Sequence, residues 1–200
     1  MRDYLKTVVF IDGENLHYNL RSFEFREEHS KPFHLLPQYI NWEKFFKALL
    51  DKINDGSNIK HFLHRIYWYV IERISAYREP GSDKLTRAVR KCQELSKTKI
   101  VDSEKVQELA KEWHSTLSEK IRHRRDALHT VLQTHTDFLQ FKYVGKLAVD
   151  PFKVRRCETD SSEPTGYAYD GTIHSEKGVD IALAVDMVSL ASDYDVAVLV

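Results

Sequence analysis

Two short runs, Val8 to Ile11 near the start and Val196 to Val200 at the end, are wholly apolar and mostly β-branched. A half-exposed strand alternates apolar and polar residues, so uninterrupted runs of this length read as strands buried on both faces. Such strands belong to parallel sheets covered by helices. Between them, "KHFLHRIYWYVI" predicts a second strand centred on Ile66 to Ile71. "FLQFKYVGKLA" predicts a third, half exposed, with Leu139, Phe141 and Tyr143 alternating against polar neighbours.

Helical patterns separate these strands. Asn15 to about Phe25 is compatible with a helix that turns Leu16, Leu20 and Phe23 inward, and "HSKPFHLLPQY", broken by Pro32 and Pro37, predicts a loop. "NWEKFFKALLDKI" has Asn41 as its N-cap and Phe45, Leu49 and Ile53 at helical spacing. Two polar helices follow between Glu79 and Thr136, the second long, with an apolar seam at Val106, Leu109, Trp113, Leu117, Ile121, Leu128 and Leu132 that lapses at Arg124 and Arg125. That seam suits a helical hairpin packed on the sheet edge or a contact between copies of the chain. After a predicted loop reaching Thr172, "KGVDIALAVDMVSLASD" is a nearly all-apolar helix opened by Asp180. The expected architecture is α/β, a doubly wound parallel sheet in a single domain over 1–200 with a helical insertion at about 80–137.

Composition narrows the function classes. Hydrophobic residues at 42% and charged residues at 30%, with only seven glycines and five prolines, exclude a disordered or low-complexity chain. Thirty basic side chains cancel thirty acidic ones, so a polyanion must be recognised by local groups rather than bulk charge. Cys92 and Cys157 are too few for a disulfide framework and lack CxxC spacing, which predicts a reducing compartment. No signal peptide or eighteen-residue apolar run is present, and the expected location is the cytoplasm without a membrane.

The first apolar run stops at Asp12, and in open parallel sheets ligands bind outside the carboxyl ends of the strands. Asp180 opens a helix that follows the third strand, and right-handed crossovers start such helices on the same side. Two carboxylates from distant sequence can therefore meet. Asp186 lies six residues after Asp180, about 9 Å along a helix and about 120° round it, which makes a shared metal difficult. Asp193 and Asp195 precede the last strand and read as exposed turn residues at the opposite edge. Bland readings exist for both main candidates, a helix-terminal carboxylate for Asp180 and a turn residue for Asp12.

"FIDGENL", "KGVDIALAVDM" and "YDVAVLV", in that order, resemble the NYN domain family, the LabA-like branch of the PIN-like nucleases. The resemblance implies a PIN-like fold and a ribonuclease that uses magnesium or manganese. It makes Asp12 a metal-binding carboxylate with Asn15 as its polar support, Asp180 a second carboxylate, and Lys177 and Asp186 flanking motif positions, Lys177 facing substrate phosphate. Phosphodiester hydrolysis needs a deprotonated water and neutralised phosphate charge, and hard divalent ions on carboxylate oxygens supply both. The family pattern continues after this strand with a Ser-Gly-Asp-x-Asp type motif bearing further carboxylates, whereas this sequence stops at Val200; either the acidic cluster lacks them or residues beyond Val200 complete it.

Other features are weaker. Lys120, Arg122, Arg124 and Arg125 around His123 form a basic patch suited to RNA phosphates, although Glu119 and Asp126 dilute it into an ordinary solvated face. The histidines, among them His61, His64, His129 and His135, show no zinc spacing. Tyr67, Trp68 and Tyr69 suit the core better than base stacking. Neither GxGxxG nor GxxxxGK[ST] occurs, which disfavours a nucleotide-binding Rossmann domain. The competing functional readings are a non-catalytic NYN-type module that binds RNA or protein, and a dehalogenase-like phosphohydrolase, which would want an aspartate where Glu14 stands.

Overall fold

The computed structural model describes residues 4–20, 22, 24–25, 33–34, 40–96, 101–133, 137–158 and 168–200. In chain order the elements are β1 (Tyr4–Asp12), α1 (Gly13–Leu20), β2 (Glu24–Phe25), β3 (Phe33–His34), α2 (Trp42–Asp55), β4 (Lys60–Ile74), α3 (Ser82–Leu95) and α4 (Ser103–Gln133). They continue with β5 (Leu139–Asp150), β6 (Arg156–Cys157), β7 (Tyr169–Asp170), β8 (Thr172–Lys177), α5 (Val179–Ser189) and β9 (Val196–Leu199). The chain divides into two compact units. The first holds residues 1–72, 124–145 and 178–200, and the second holds 73–123 and 146–177.

The hydrogen-bonded strand order is β8-β5-β4-β1-β9. β1 pairs in parallel with β4 on one side and with β9 on the other. β4 and β5 advance together, Ile66 N donating to Phe138 O and Ser75 N to Leu147 O, as parallel neighbours do. β8 departs from the all-parallel expectation. It pairs antiparallel with β5 at the edge, and its polar sequence "TIHSEK" carries no buried-strand signature. The fold class is α/β with a mostly parallel five-stranded sheet.

In the first unit, Val9 and Ile11 of β1 and Trp68 and Val70 of β4 are packed with Trp42 and Phe46 of α2. Asn41 caps α2 through its side-chain oxygen, which accepts from Lys44 N at 3.0 Å. The expected inward residues Phe45, Leu49 and Ile53 are only half buried, whereas Trp42 and Phe46 are buried. The stripe is rotated because Trp42 stacks edge-on against Trp68 with ring centroids 4.6 Å apart. Helix α1 ends at Leu20 and Glu24–Phe25 pairs with Phe33–His34, so the helical pattern does not continue to Phe25. Apart from those two pairs and Ser22, the segment from 21 to 39, with most of the expected loop, lies outside the described residues.

In the second unit, Ala88 and Cys92 of α3 share a core with Val106, Ala110 and Trp113 of α4. Trp113 also donates its indole N–H to Asp170 at 3.0 Å. A Cβ on Gly171 would lie 2.8 Å from Asp150 O and 2.9 Å from the Trp113 ring, so only glycine allows this approach. Cys92 and Cys157 are joined by a disulfide, with Cα atoms 5.3 Å apart and both residues fully buried. The sequence reading of two cysteines as no framework is thereby corrected: there is one bond, and Cys157 reaches Cys92 because β6 pairs with β7 inside the stretch read as loop. The remainder of that stretch, residues 159–167, lies outside the described residues.

Residues of the α4 seam pack within the chain. Val106 and Trp113 are buried in the second unit, and Leu132 is buried in the first. The lapse at Arg124 and Arg125 falls where the division between the units crosses the helix. No helix among the described residues is long and apolar enough to cross a membrane.

Candidate metal centre

β1 ends on Asp12, which is buried with 5% of its surface exposed. Its carboxylate turns back over α1: Oδ1 accepts from Glu14 N at 3.1 Å and from Asn15 N at 3.0 Å, and Oδ2 accepts from the Asn15 side-chain amide at 2.8 Å. This is an N-cap with an added side-chain clamp, and it fixes the carboxylate against a helix N-terminus that favours negative charge. The backbone N–H of Asp12 donates to Val200 O at 3.0 Å, so the last residues of the sequence help to seat the first strand's end.

Gly13 is what lets the turn sit so close to β4. A Cβ there would fall 2.5 Å from Tyr69 O and would also overlap the indole nitrogen of Trp68. Trp68 is fully buried, and its indole N–H has no hydrogen-bond partner among the described residues. The Asp-Gly pair after the apolar run thus answers two separate demands, a capping carboxylate and an absent side chain.

Asp180 stands in the first turn of α5, exposed to solvent. The residue before the helix, Gly178, has φ +98°, and a Cβ on it would meet Gly145 Cα at 3.4 Å. Gly145 also has positive φ, so two glycines make the sharp entry into α5 possible. Asp12 and Asp180, both in the first unit, each offer a carboxylate oxygen, and these oxygens lie within 4.8 Å of one another.

Two carboxylates, one buried, form an all-oxygen donor set of the kind that hard divalent cations take. The four lone-pair positions of Asp12 are only partly used by its three hydrogen bonds, which leaves acceptor capacity for an ion. The residues present therefore fit a divalent cation, and this group could hold one.

The other residues singled out in the sequence are placed elsewhere. Asp186 accepts a hydrogen bond from Tyr69 Oη at 2.8 Å and pairs with Lys142 Nζ at 3.3 Å, and it is not grouped with Asp12 and Asp180. Burial first, then the bond to Asp186, raises the Tyr69 hydroxyl far above its ordinary value. Arg124 pairs with Glu14 at 2.6 Å, and Arg125 donates to Glu72 O at 3.1 Å while lying over the Tyr143 ring. Arg122 is exposed, and Lys177 is exposed on β8. Asp195 lies at the amino end of β9, where its carboxylate accepts from Lys6 N at 2.8 Å, away from the strand end that carries Asp12. β8 carries no signal of its own in the sequence, where the expected loop runs to Thr172 and the expected helix starts at Lys177.

Compared with known proteins, the chain matches no family model, no curated protein and no solved structure.

Proposed function

We propose that the protein is a divalent-metal-dependent ribonuclease of the NYN type, with a PIN-like fold, that hydrolyses RNA phosphodiester bonds with magnesium or manganese. The observation that carries the reading is the meeting of Asp12 and Asp180, from opposite ends of the sequence. A bound cation would polarise a phosphate oxygen and lower the pKa of a coordinated water. The chain's own part is to fix the acceptors. Asp12 is held by Asn15 and the α1 amides, and Asp180 by the glycine-shaped start of α5.

Incubating the purified chain with labelled RNA and Mg2+ or Mn2+ tests this reading. Cleavage that EDTA stops and that Asp12→Asn abolishes is the expected result. Cleavage by purified Asp12→Asn, or none under any of these conditions, rejects it.

A second reading, a non-catalytic NYN-type module that binds RNA or protein, is favoured by one specific observation. Each Asp12 oxygen already has a capping partner, as a structural aspartate would. RNA binding without metal-dependent cleavage is its signature.

A further inference from the structure

The second unit contains a cavity of about 680 Å3 lined by Arg73, Arg78, Lys84, Lys146 and Lys177, with Asp150 as the one carboxylate among its lining residues. Lys84 Nζ lies 2.8 Å from Asp150 Oδ1, so that pair cancels. The other four cations have no ion-pair partner among the described residues. In a chain of zero net charge this is a local excess of positive charge.

Two of these cations oppose each other by register. Lys146 of β5 and Lys177 of β8 are direct partners in the antiparallel pair. Like charges directly opposite on neighbouring strands destabilise a sheet, and an anion lying between them turns the repulsion into attraction. A second cavity of about 550 Å3 adjoins the first, sharing Lys84, Asp150 and Phe152 and adding Arg87, Lys91 and Lys153. Lys84, Arg87 and Lys91 recur at three- and four-residue steps, which puts them on one face of α3, where Lys91 pairs with Glu94 at 3.1 Å and Arg87 and Lys153 have no ion-pair partner among the described residues. The cationic lining therefore extends beyond what one phosphate group can use.

We propose that the two adjoining cavities form a track for the phosphate backbone of a single-stranded polynucleotide. The proposal deepens the ribonuclease reading, on which it rests for the identity of the polymer as RNA. Phosphates bind as point charges to these lysines and arginines, with no base read directly. Each cation engaged releases a counterion, which makes affinity fall steeply with salt.

The test is fluorescence anisotropy of a labelled oligouridylate with the full chain in EDTA, across a salt series, for the wild type and Lys146→Ala/Lys177→Ala. The track predicts binding whose log K against log salt is less steep by about 1.4 in the double variant, two cations at about 0.7 each. It also predicts at least a tenfold loss of affinity at low salt, with thermal stability unchanged or raised because the like-charge pair is gone. Equal affinity and slope in both proteins, or no oligonucleotide binding, overturns the proposal. Displacement by uridine monophosphate or inorganic phosphate as readily as by the oligonucleotide also overturns it. EDTA separates the two claims: binding without cleavage in metal rejects catalysis and keeps the track, whereas cleavage indifferent to the double variant rejects the track and keeps catalysis.

Discussion

The side-chain amide of Asn15 donates to Oδ2 of Asp12 across 2.8 Å while the Asn15 backbone N–H donates to Oδ1 across 3.0 Å. One residue thus restrains both oxygens of the carboxylate proposed to bind metal. Asp12→Asn keeps a good N-cap, so the expected stability change is small. Asp12→Ala loses the cap and costs about 1 kcal/mol. Urea unfolding of the two variants checks this order, and equal losses would show that the carboxylate has no capping role.

Gly13→Ala is expected to be far more harmful than a surface change. The added methyl meets Tyr69 O and the buried Trp68 ring, neither of which is the free end of a flexible chain. Overpacking of this kind costs roughly 1–3 kcal/mol. A shifted chemical denaturation midpoint is the readout, and a wild-type midpoint in the alanine variant contradicts the close approach.

Tyr69 couples β4 to α5 through Asp186. Its hydroxyl is held protonated in the folded state beyond the ordinary value of 10.0. The unfolded chain releases that proton first as pH rises, so stability is fully present below about 10 and declines above it. Tyr69→Phe removes the bond, lowering stability at neutral pH by roughly 1–2 kcal/mol, and flattens the alkaline decline. Unfolding midpoints from neutral to alkaline pH for both proteins check the sign, and parallel curves would sink the assignment.

The disulfide between Cys92 and Cys157 spans 65 positions and lies in the second unit's core. Thiol titration of the unfolded, unreduced chain is expected to find no reactive cysteine. Reduction or Cys157→Ser is expected to lower stability by roughly 2–5 kcal/mol. Two titratable thiols before any reductant is added would contradict the bond.

What the sequence disclosed follows from where each side chain ends up. The apolar run of β1 is legible because both of its faces are covered, whereas β9, expected to be buried likewise, is only half buried with Leu199 61% exposed, and Asn41 announces α2 because a capping side chain acts locally. Asp12 and Asp180 do meet, although α5 follows the antiparallel edge strand β8 and not the parallel third strand from which the crossover rule argues. β8 is not legible, because an exposed antiparallel edge strand needs no apolar pattern. Helix α5 misled in the other sense. Its apolar composition reads as a helix buried against the sheet, yet Val179 and Leu183 alone of its residues are buried, while Ile181, Val185 and Val188 are 71%, 56% and 78% exposed. Composition records that a face is apolar and not what covers it.

Mn2+ titration followed by electron paramagnetic resonance tests the central claim most directly, because free manganese is counted without any substrate. The account predicts one saturable Mn2+ site per chain in the wild type. It predicts weakened or lost binding in both Asp12→Asn and Asp180→Asn, with both still folded by circular dichroism. Wild-type affinity in both variants, or no saturable site in the wild type, would contradict a metal centre built from these carboxylates.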